Sequence, residues 1–279
     1  MSNRPTYQSH LRMAESRPTV RPWGKASYLV DGGIAVRAQI GMVVLSSDQT
    51  LSYEARAMLD VPGVGLYESR LLDPGNPSQP LTMDLLEGYF DGLGGAIRQI
   101  NIRRPSDVIA LGCTSAAMAI GYGELEQRVQ TLTPQARVTD PFTAILSALR
   151  ALGPARVGFV SPYPQEVAEK MVAKIEAAGH PVPAGIRFHN ETGSGRLDAP
   201  FIWPASISGA VRQLVNESEV DAVVVACTQM RAAGVLAELE RETGKSLISS
   251  NQALCWHALR LAGVGDAIYG WGRLFQTEL

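Results

Sequence analysis

With 279 residues, of which 46% are hydrophobic and 19% charged, the chain carries enough apolar material for two compact lobes around a well-buried core, which excludes disorder for most of its length. A formal net charge of −2 and an isoelectric point near 6.1 give no electrostatic reason to expect nucleic acid or an anionic membrane surface as partner, so a small molecule is the expected one. No apolar run reaches the length a bilayer requires, and three cysteines are an odd count without framework spacing, so the chain reads as cytoplasmic with reduced thiols.

Residues 1–37 open with a Pro-rich, non-periodic stretch that lacks an export signal and reads as an N-terminal arm. "AQIGMVVLSS" (38–47) is a continuous apolar run, the pattern of a parallel strand buried on both faces. A second strand is predicted in "GVGLYESRLL" (63–72), a glycine-weakened helix over 83–102, and a third strand in "SDVIALGCT" (106–114). The order then starts again. An amphipathic helix (141–153) is followed by a strand (155–163), a helix (164–179), a strand ending near "RFHNE" (187–191), a Gly-rich loop, a helix (205–217) and the strand "VDAVVVACT" (220–228). A helix (234–245), the short strand "SLISSN" (246–251) and a helix (252–263) close the pattern.

"DVIALGCT" (107–114) and "DAVVVACT" (221–228) align without a gap, apolar position for apolar position. The repeat predicts an α/β fold of two pseudo-symmetric lobes, each a small parallel sheet flanked by helices, with the active site in the cleft between them. Lobe 1 spans 38–137 and is completed by 252–279; lobe 2 spans 138–251.

Both Cys-Thr pairs end a strand, where α/β folds place their chemistry. A cysteine between a strand and a helix N-terminus meets unpaired N–H groups and the positive end of a helix dipole, both of which favour thiolate over thiol. Cys113 and Cys227 are therefore the candidate catalytic residues, and Thr114, Ser115 and Thr228 can hold a carboxylate and the oxygen of an enolate. Cys255 lies inside a helical pattern beside Leu254 and Leu259 and reads as buried filler. "DGLGGAI" (91–97) falls within a helix pattern rather than after a strand, so it is not read as a dinucleotide loop; the four histidines lack the spacing of a zinc site.

The paired "GCTS" and "ACTQ" motifs, with "IGMVVLSSDQT" (40–50), "SPY" (161–163) and "GWGRLF" (270–275), resemble the aspartate/glutamate racemase superfamily. Within it they are most similar to the branch of maleate cis-trans isomerases and arylmalonate decarboxylases, which includes an ectoine-utilisation group. The resemblance implies chemistry without metal, pyridoxal phosphate or nicotinamide, and a homo-oligomer. It matches Cys113 and Cys227 to the first- and second-lobe cysteines, Tyr163 to a tyrosine that contacts a substrate carboxylate, and Asn190 to an asparagine after the next strand. Ser47 and Asp48 complete the expected substrate-binding set. Two departures narrow it. The decarboxylases lack the first cysteine, present here, which points to two-base chemistry; the maleate isomerases carry asparagine at the place of Asp48, where a carboxylate repels a dicarboxylic substrate and can pair with an ammonium.

The sequence thus reads as a cofactor-independent isomerase or racemase acting on a small amino-acid-like or maleate-like carboxylic acid. The alternative is an arylmalonate-type decarboxylase with Cys227 as proton donor. Two lobes around a cleft also describe solute-binding proteins. The stretch 190–204 is read as a lid candidate, its glycines allowing hinge motion and Phe201 and Trp203 supplying a cover.

Overall fold

The computed structural model describes residues 21, 23–75, 81–101, 103–189 and 198–279. Residues 1–31 form a unit of their own, and its described part has no regular secondary structure.

The first apolar run becomes β1 (Ala38–Leu45), buried at every position. It is flanked in parallel by β2 (Val64–Leu71) and β3 (Val108–Gly112), with β4 (Arg137–Thr139) beyond β3, giving the order β2-β1-β3-β4. The second sheet repeats the arrangement as β6-β5-β7-β8, where β5 is Val157–Ser161, β6 Ala184–Arg187, β7 Ala222–Val225 and β8 Ser246–Ser249. The two aligned sequence segments thus form β3 and β7, which hold the same place in their sheets. Register keeps the strand ends level: Val44 pairs with Gly112, and Val160 with Val225. Strands buried on both faces must be apolar throughout, which is why period-two alternation is missing from β1, β3, β5 and β7.

Helices cover the first sheet with α1 (Leu51–Met58), α2 (Met83–Glu87), α3 (Leu93–Ile100), α4 (Thr114–Ile120) and α5 (Tyr122–Gln130). They continue with α6 (Pro141–Leu152), α7 (Gln165–Ala177), α8 (Pro204–Glu217), α9 (Ala233–Thr243) and α10 (Ser250–Leu261). The single helix expected over 83–102 is two, because Gly88 caps the end of α2 and Gly92 the start of α3. Glycine's backbone freedom is enough to break a helix that packing does not hold straight. By contrast α6 runs as its signals dictate: Asp140 caps it through the Phe142 and Thr143 N–H groups, Pro141 follows, and Gly153 ends it in the left-handed region.

The helix that most shapes the interior is α10. It is buried along all but its last residue and packs on α1, α6 and β3, so a helix from late in the chain sits inside the first half of the fold. Its start is fixed by a capping box, with the Ser249 side chain accepting from the Gln252 N–H and the Gln252 side chain accepting from the Ser249 N–H. Its far end buries Arg260, whose guanidinium donates to the carbonyls of Val264, Asp266, Phe275 and Thr277 and so pins the segment 264–277, with "GWGRLF" inside it, by one side chain. Trp256 adds a fifth bond to that segment through Thr277.

Gly112 shows how closely the first half is packed at the strand end. A Cβ there meets the Leu51 side chain of α1 and comes within 2.9 Å of the Val43 carbonyl oxygen. Gly112→Ala is therefore expected to destabilise the fold by about 1–3 kcal/mol, the usual weight of overpacking, measured as a lower urea midpoint with an unchanged slope.

Candidate active site

In each sheet the strand order reverses between the two central strands, and in open parallel sheets the crevice at their carboxyl ends is where ligands bind. Ser46, Ser47 and Asp48 follow β1, and Cys113 follows β3. Tyr163 comes two residues after β5 ends at Ser161, and Cys227 and Thr228 come just after β7. All four strand ends at the two reversals thus carry residues singled out from the sequence.

The structure brings them together. The Tyr163 hydroxyl lies close enough to the Cys227 thiol and to Thr114 for each to act on its acidity, so a residue of the second half approaches both motifs. The Thr114 hydroxyl donates to Ser250 Oγ at 2.9 Å, and the same oxygen accepts the Cys227 N–H at 3.0 Å. Ser250, wholly buried at the start of α10, therefore joins the two Cys-Thr pairs. Cys113 Sγ lies 3.7 Å from Ser115 Oγ.

The two cysteines are not equivalent. Cys113 is the N-cap of α4, in extended conformation, as its sequence context predicts. After Cys227 the chain makes a turn, and α9 begins only at Ala233, so the expected helix N-terminus is displaced from that thiol. Instead Cys227 holds φ at +151°, a region non-glycine residues rarely enter and one that persists only where surrounding contacts enforce it.

Both thiols also depart from the expected lowering of their pKa. Burial pushes Cys113 up to about 11 and Cys227 up to about 12, outweighing the N–H of Ala116 at the first and of Gln229 at the second. The helix-end argument accounts for local dipoles; desolvation of a thiolate is larger when the sulfur is buried. The negative charge of Asp48 raises both thiols further, and Cys113 raises Cys227, so ionising one sulfur disfavours ionising the other.

Asp48 is buried beside them. Its Oδ1 accepts the N–H groups of Thr50 and Leu51, both at 2.8 Å, and so holds the turn that leads into α1, while Oδ2 is buried without a hydrogen-bond partner. Burial raises its pKa, opposed by the two N–H bonds, by the nearby Thr228 hydroxyl and by Arg70. Ser161 Oγ is a second buried polar atom with no partner at this crevice.

Two residues with no distinguishing sequence signal support the second motif. Asn251 Nδ2 donates to the Thr228 carbonyl at 2.9 Å and to Glu54 Oε2 at 2.7 Å; Glu54 Oε1 accepts the Ala233 N–H at 3.1 Å. Burial lifts Glu54 from 4.5 to about 7. Thr50 adds a further tie across the crevice, donating to the Gln229 carbonyl at 2.8 Å.

One expected binding residue is not part of this cluster. Ser47 is exposed and its hydroxyl donates to Asp73 Oδ2 at 2.6 Å, so the strand-end position is right but the side chain is already occupied. Asn190 lies outside the described residues, as does the lid candidate up to residue 197. Of its described part, Phe201 and Trp203 are exposed, and Arg231 donates to the carbonyls of Phe201 and Ile202. Cys255 is completely buried in α10 among apolar side chains, as its helical pattern implies.

Comparison with known proteins supplies the context. The profile of the arylmalonate decarboxylase family matches residues 101–275. A maleate isomerase of Nocardia farcinica is 31% identical over 254 residues, covering 86% of this chain and 96% of the relative. An arylmalonate decarboxylase of Bordetella bronchiseptica is 34% identical over 144 residues, half of this chain and 58% of that protein. Among solved structures, a maleate isomerase from Pseudomonas putida S16 superposes with a TM-score of 0.75 at 24% identity, over 86% of this chain and 98% of the other. A Nocardia farcinica maleate cis-trans isomerase variant, solved with a covalently bound succinylcysteine intermediate, gives 0.74 at 27% identity over the same shares.

The buried carboxylates set a pH dependence of stability. Glu54 has its pKa raised on folding from 4.5 to about 7, so between those values the native state binds more protons than the unfolded chain, and stability falls as pH rises through that window. Glu54→Gln is expected to shrink the drop in urea midpoint across this window, with Asp48, Asp140 and Glu240, raised in the same direction, supplying the remainder.

Proposed function

The chain belongs to the arylmalonate decarboxylase family, and from that premise we propose that it is a cofactor-independent isomerase or racemase of a small carboxylic acid, using Cys113 and Cys227 as a paired base and acid. The observation that carries this reading is the pairing itself: two buried thiols at equivalent strand ends, tied through Ser250 and coupled so that one ionised sulfur keeps the other protonated. One thiolate facing one thiol is the protonation state that two-base chemistry needs.

Acting as a racemase, the thiolate removes the proton from the α-carbon, and the electron pair left by that C–H bond moves into the carboxylate as an enediolate. The opposite thiol then delivers its proton to the other face and becomes the thiolate. Protons balance, and the pair is left with its roles exchanged. A thiol held above the ordinary cysteine range is a stronger base once ionised, which suits a weakly acidic C–H bond. Ser115 and Thr228 with the N–H groups that start α4, that of Thr114 among them, receive the substrate carboxylate, while the Thr114 hydroxyl proton stays directed at Ser250 and Tyr163 stands beside both motifs.

The unpartnered Asp48 Oδ2 favours a substrate that brings a hydrogen-bond donor, such as an ammonium, over a second carboxylate. For a maleate-like acid the route is different: a thiolate adds to the double bond, the new single bond rotates, and elimination restores thiolate and alkene. The succinylcysteine reported for the Nocardia farcinica relative supports that route as the form the same site takes with an unsaturated diacid. The second reading is decarboxylation of a malonate-type acid with Cys227 as proton donor, favoured by the family match itself. A cytoplasmic homo-oligomer with lobes at 38–137 plus 252–279 and at 138–251 belongs to the same proposal; among the described residues no helix is long and apolar enough to cross a membrane.

Proton NMR in deuterium oxide separates these outcomes across maleate, aspartate, N-acylated diamino acids, 2-arylpropionates and arylmalonates. The expected result is deuterium at the α-position, or cis-trans conversion, that falls by at least about a hundredfold in both Cys113→Ala and Cys227→Ala. Carbon dioxide release that survives Cys113→Gly and is lost in Cys227→Gly assigns the decarboxylase instead.

A further inference from the structure

We propose that Ser250, Asn251 and Glu54 are positioning residues for the Cys227 thiol: two consecutive residues at the start of α10 grip the two consecutive residues of the Cys227–Thr228 corner, and Glu54 fixes the orientation of one grip. The inference rests on the reading of Cys227 as a reacting thiol.

The corner needs holding. Cys227 sits at φ +151°, and no helix begins at that point to enforce the backbone, since α9 starts only at Ala233. What holds it is α10. Ser250 Oγ takes the Cys227 N–H at 3.0 Å, and Asn251 Nδ2 reaches the Thr228 carbonyl at 2.9 Å, so a donor on one side and an acceptor on the other are fixed by adjacent residues of one capped helix. Both side chains are buried, at 0% and 1% exposure, so solvent does not compete for these bonds.

Glu54 supplies the direction. An asparagine amide turned by 180° occupies nearly the same space but exchanges donor for acceptor. Turned that way, Asn251 sets its oxygen against the Thr228 carbonyl and the grip becomes a repulsion. Glu54 Oε2, 2.7 Å from Asn251 Nδ2, favours the donor orientation, and Asn251 Oδ1 is buried with no hydrogen-bond partner, so the amide is held through its nitrogen alone. The other carboxylate oxygen accepts the Ala233 N–H at 3.1 Å, fixing the far end of the same loop at the start of α9.

Ionised Glu54 accepts from both donors. Protonated, it turns one O–H toward a donor and loses one of the two bonds. The groups that act on its charge are Asp48, which opposes ionisation, and Arg231, which favours it; the Cys255 thiol of α10 feels it in turn. With burial placing the Glu54 midpoint at about 7, the corner is held firmly above that pH and loosened below it.

The test reads the thiol rather than turnover. Wild type, Glu54→Gln, Asn251→Ala and Ser250→Ala are treated briefly with iodoacetamide at pH values on either side of 7, and alkylation of Cys227 relative to Cys113 is measured by peptide mass spectrometry. Dividing the two rates removes the thiolate dependence common to both. The wild-type ratio is expected to rise about two- to tenfold as pH falls through 7, the weight of one lost hydrogen bond, and in Glu54→Gln to stay at the raised value at every pH. Ser250→Ala and Asn251→Ala raise it as well; should either fail to fold, the nearly isosteric Glu54→Gln carries the test. A wild-type ratio without pH dependence overturns the inference, as does parallel acceleration of Cys113 and Cys255, which marks general loosening. No substrate enters the measurement, so an altered ratio stands even where no acid in the panel is turned over, and an active enzyme with an unaltered ratio removes only this inference.

Discussion

Two hydrogen bonds converge on the Ser250 hydroxyl, and through them one half of a duplicated fold is tied to the other. Parallel sheets place their free strand ends on one side, so each half presents a polar rim that must be satisfied without water where the halves meet. Ser250 accepts the Thr114 hydroxyl from the first rim and the Cys227 N–H from the second. With Asn251 and Glu54 beside it, this small polar cluster allows two thiols to be buried at the crevice while the chain around them keeps its bonds. The apolar core positions the sheets; this cluster positions the chemistry.

The electrostatics of the crevice disfavour ionisation of its own acidic groups. Asp48, Glu54 and two thiols all have their pKa raised, and burial is the largest cause in each case. The surroundings therefore resist negative charge, and what opposes that resistance is mainly oriented N–H and side-chain donors, with Arg70 and Arg231 acting less strongly on the two carboxylates. Such donors are set in advance and need not reorganise around a developing charge, the condition under which electrostatic stabilisation is most effective.

Much of this was legible in the residues. Strands buried on both faces read as unbroken apolar runs, which is why β1, β3, β5 and β7 stand out, and the gapless match of residues 107–114 with 221–228 marks the duplication in the sequence itself. The glycines at 88 and 92 were visible too, but not that both would act as breaks, since packing decides whether a glycine interrupts a helix. Ser47 illustrates a finer limit: its strand-end position was clear, whereas the commitment of its hydroxyl to Asp73 depends on the path of a loop from β2. Glu54 and Asn251 had no local signature. A glutamate on a helix otherwise marks a solvated face, and serine and asparagine before an apolar stretch read as a cap. Their burial follows only from where α10 packs. The acidity of the cysteines was misjudged for the same reason: dipoles are local and can be inferred from neighbours in the chain, while desolvation depends on everything that closes over the sulfur.

The separation of 197 positions between Glu54 and Asn251 bears on how the protein comes into being. During synthesis, β1, β3 and Cys113 emerge long before α10, the helix that fills their side of the interior and ties them to Cys227. Until it docks, the first sheet lacks part of its own core and its thiol lacks the environment that keeps it protonated. Reactivity and folding are therefore settled in one late event. A half-made chain presents an ordinary cysteine, and the paired thiols come into existence only with the finished fold.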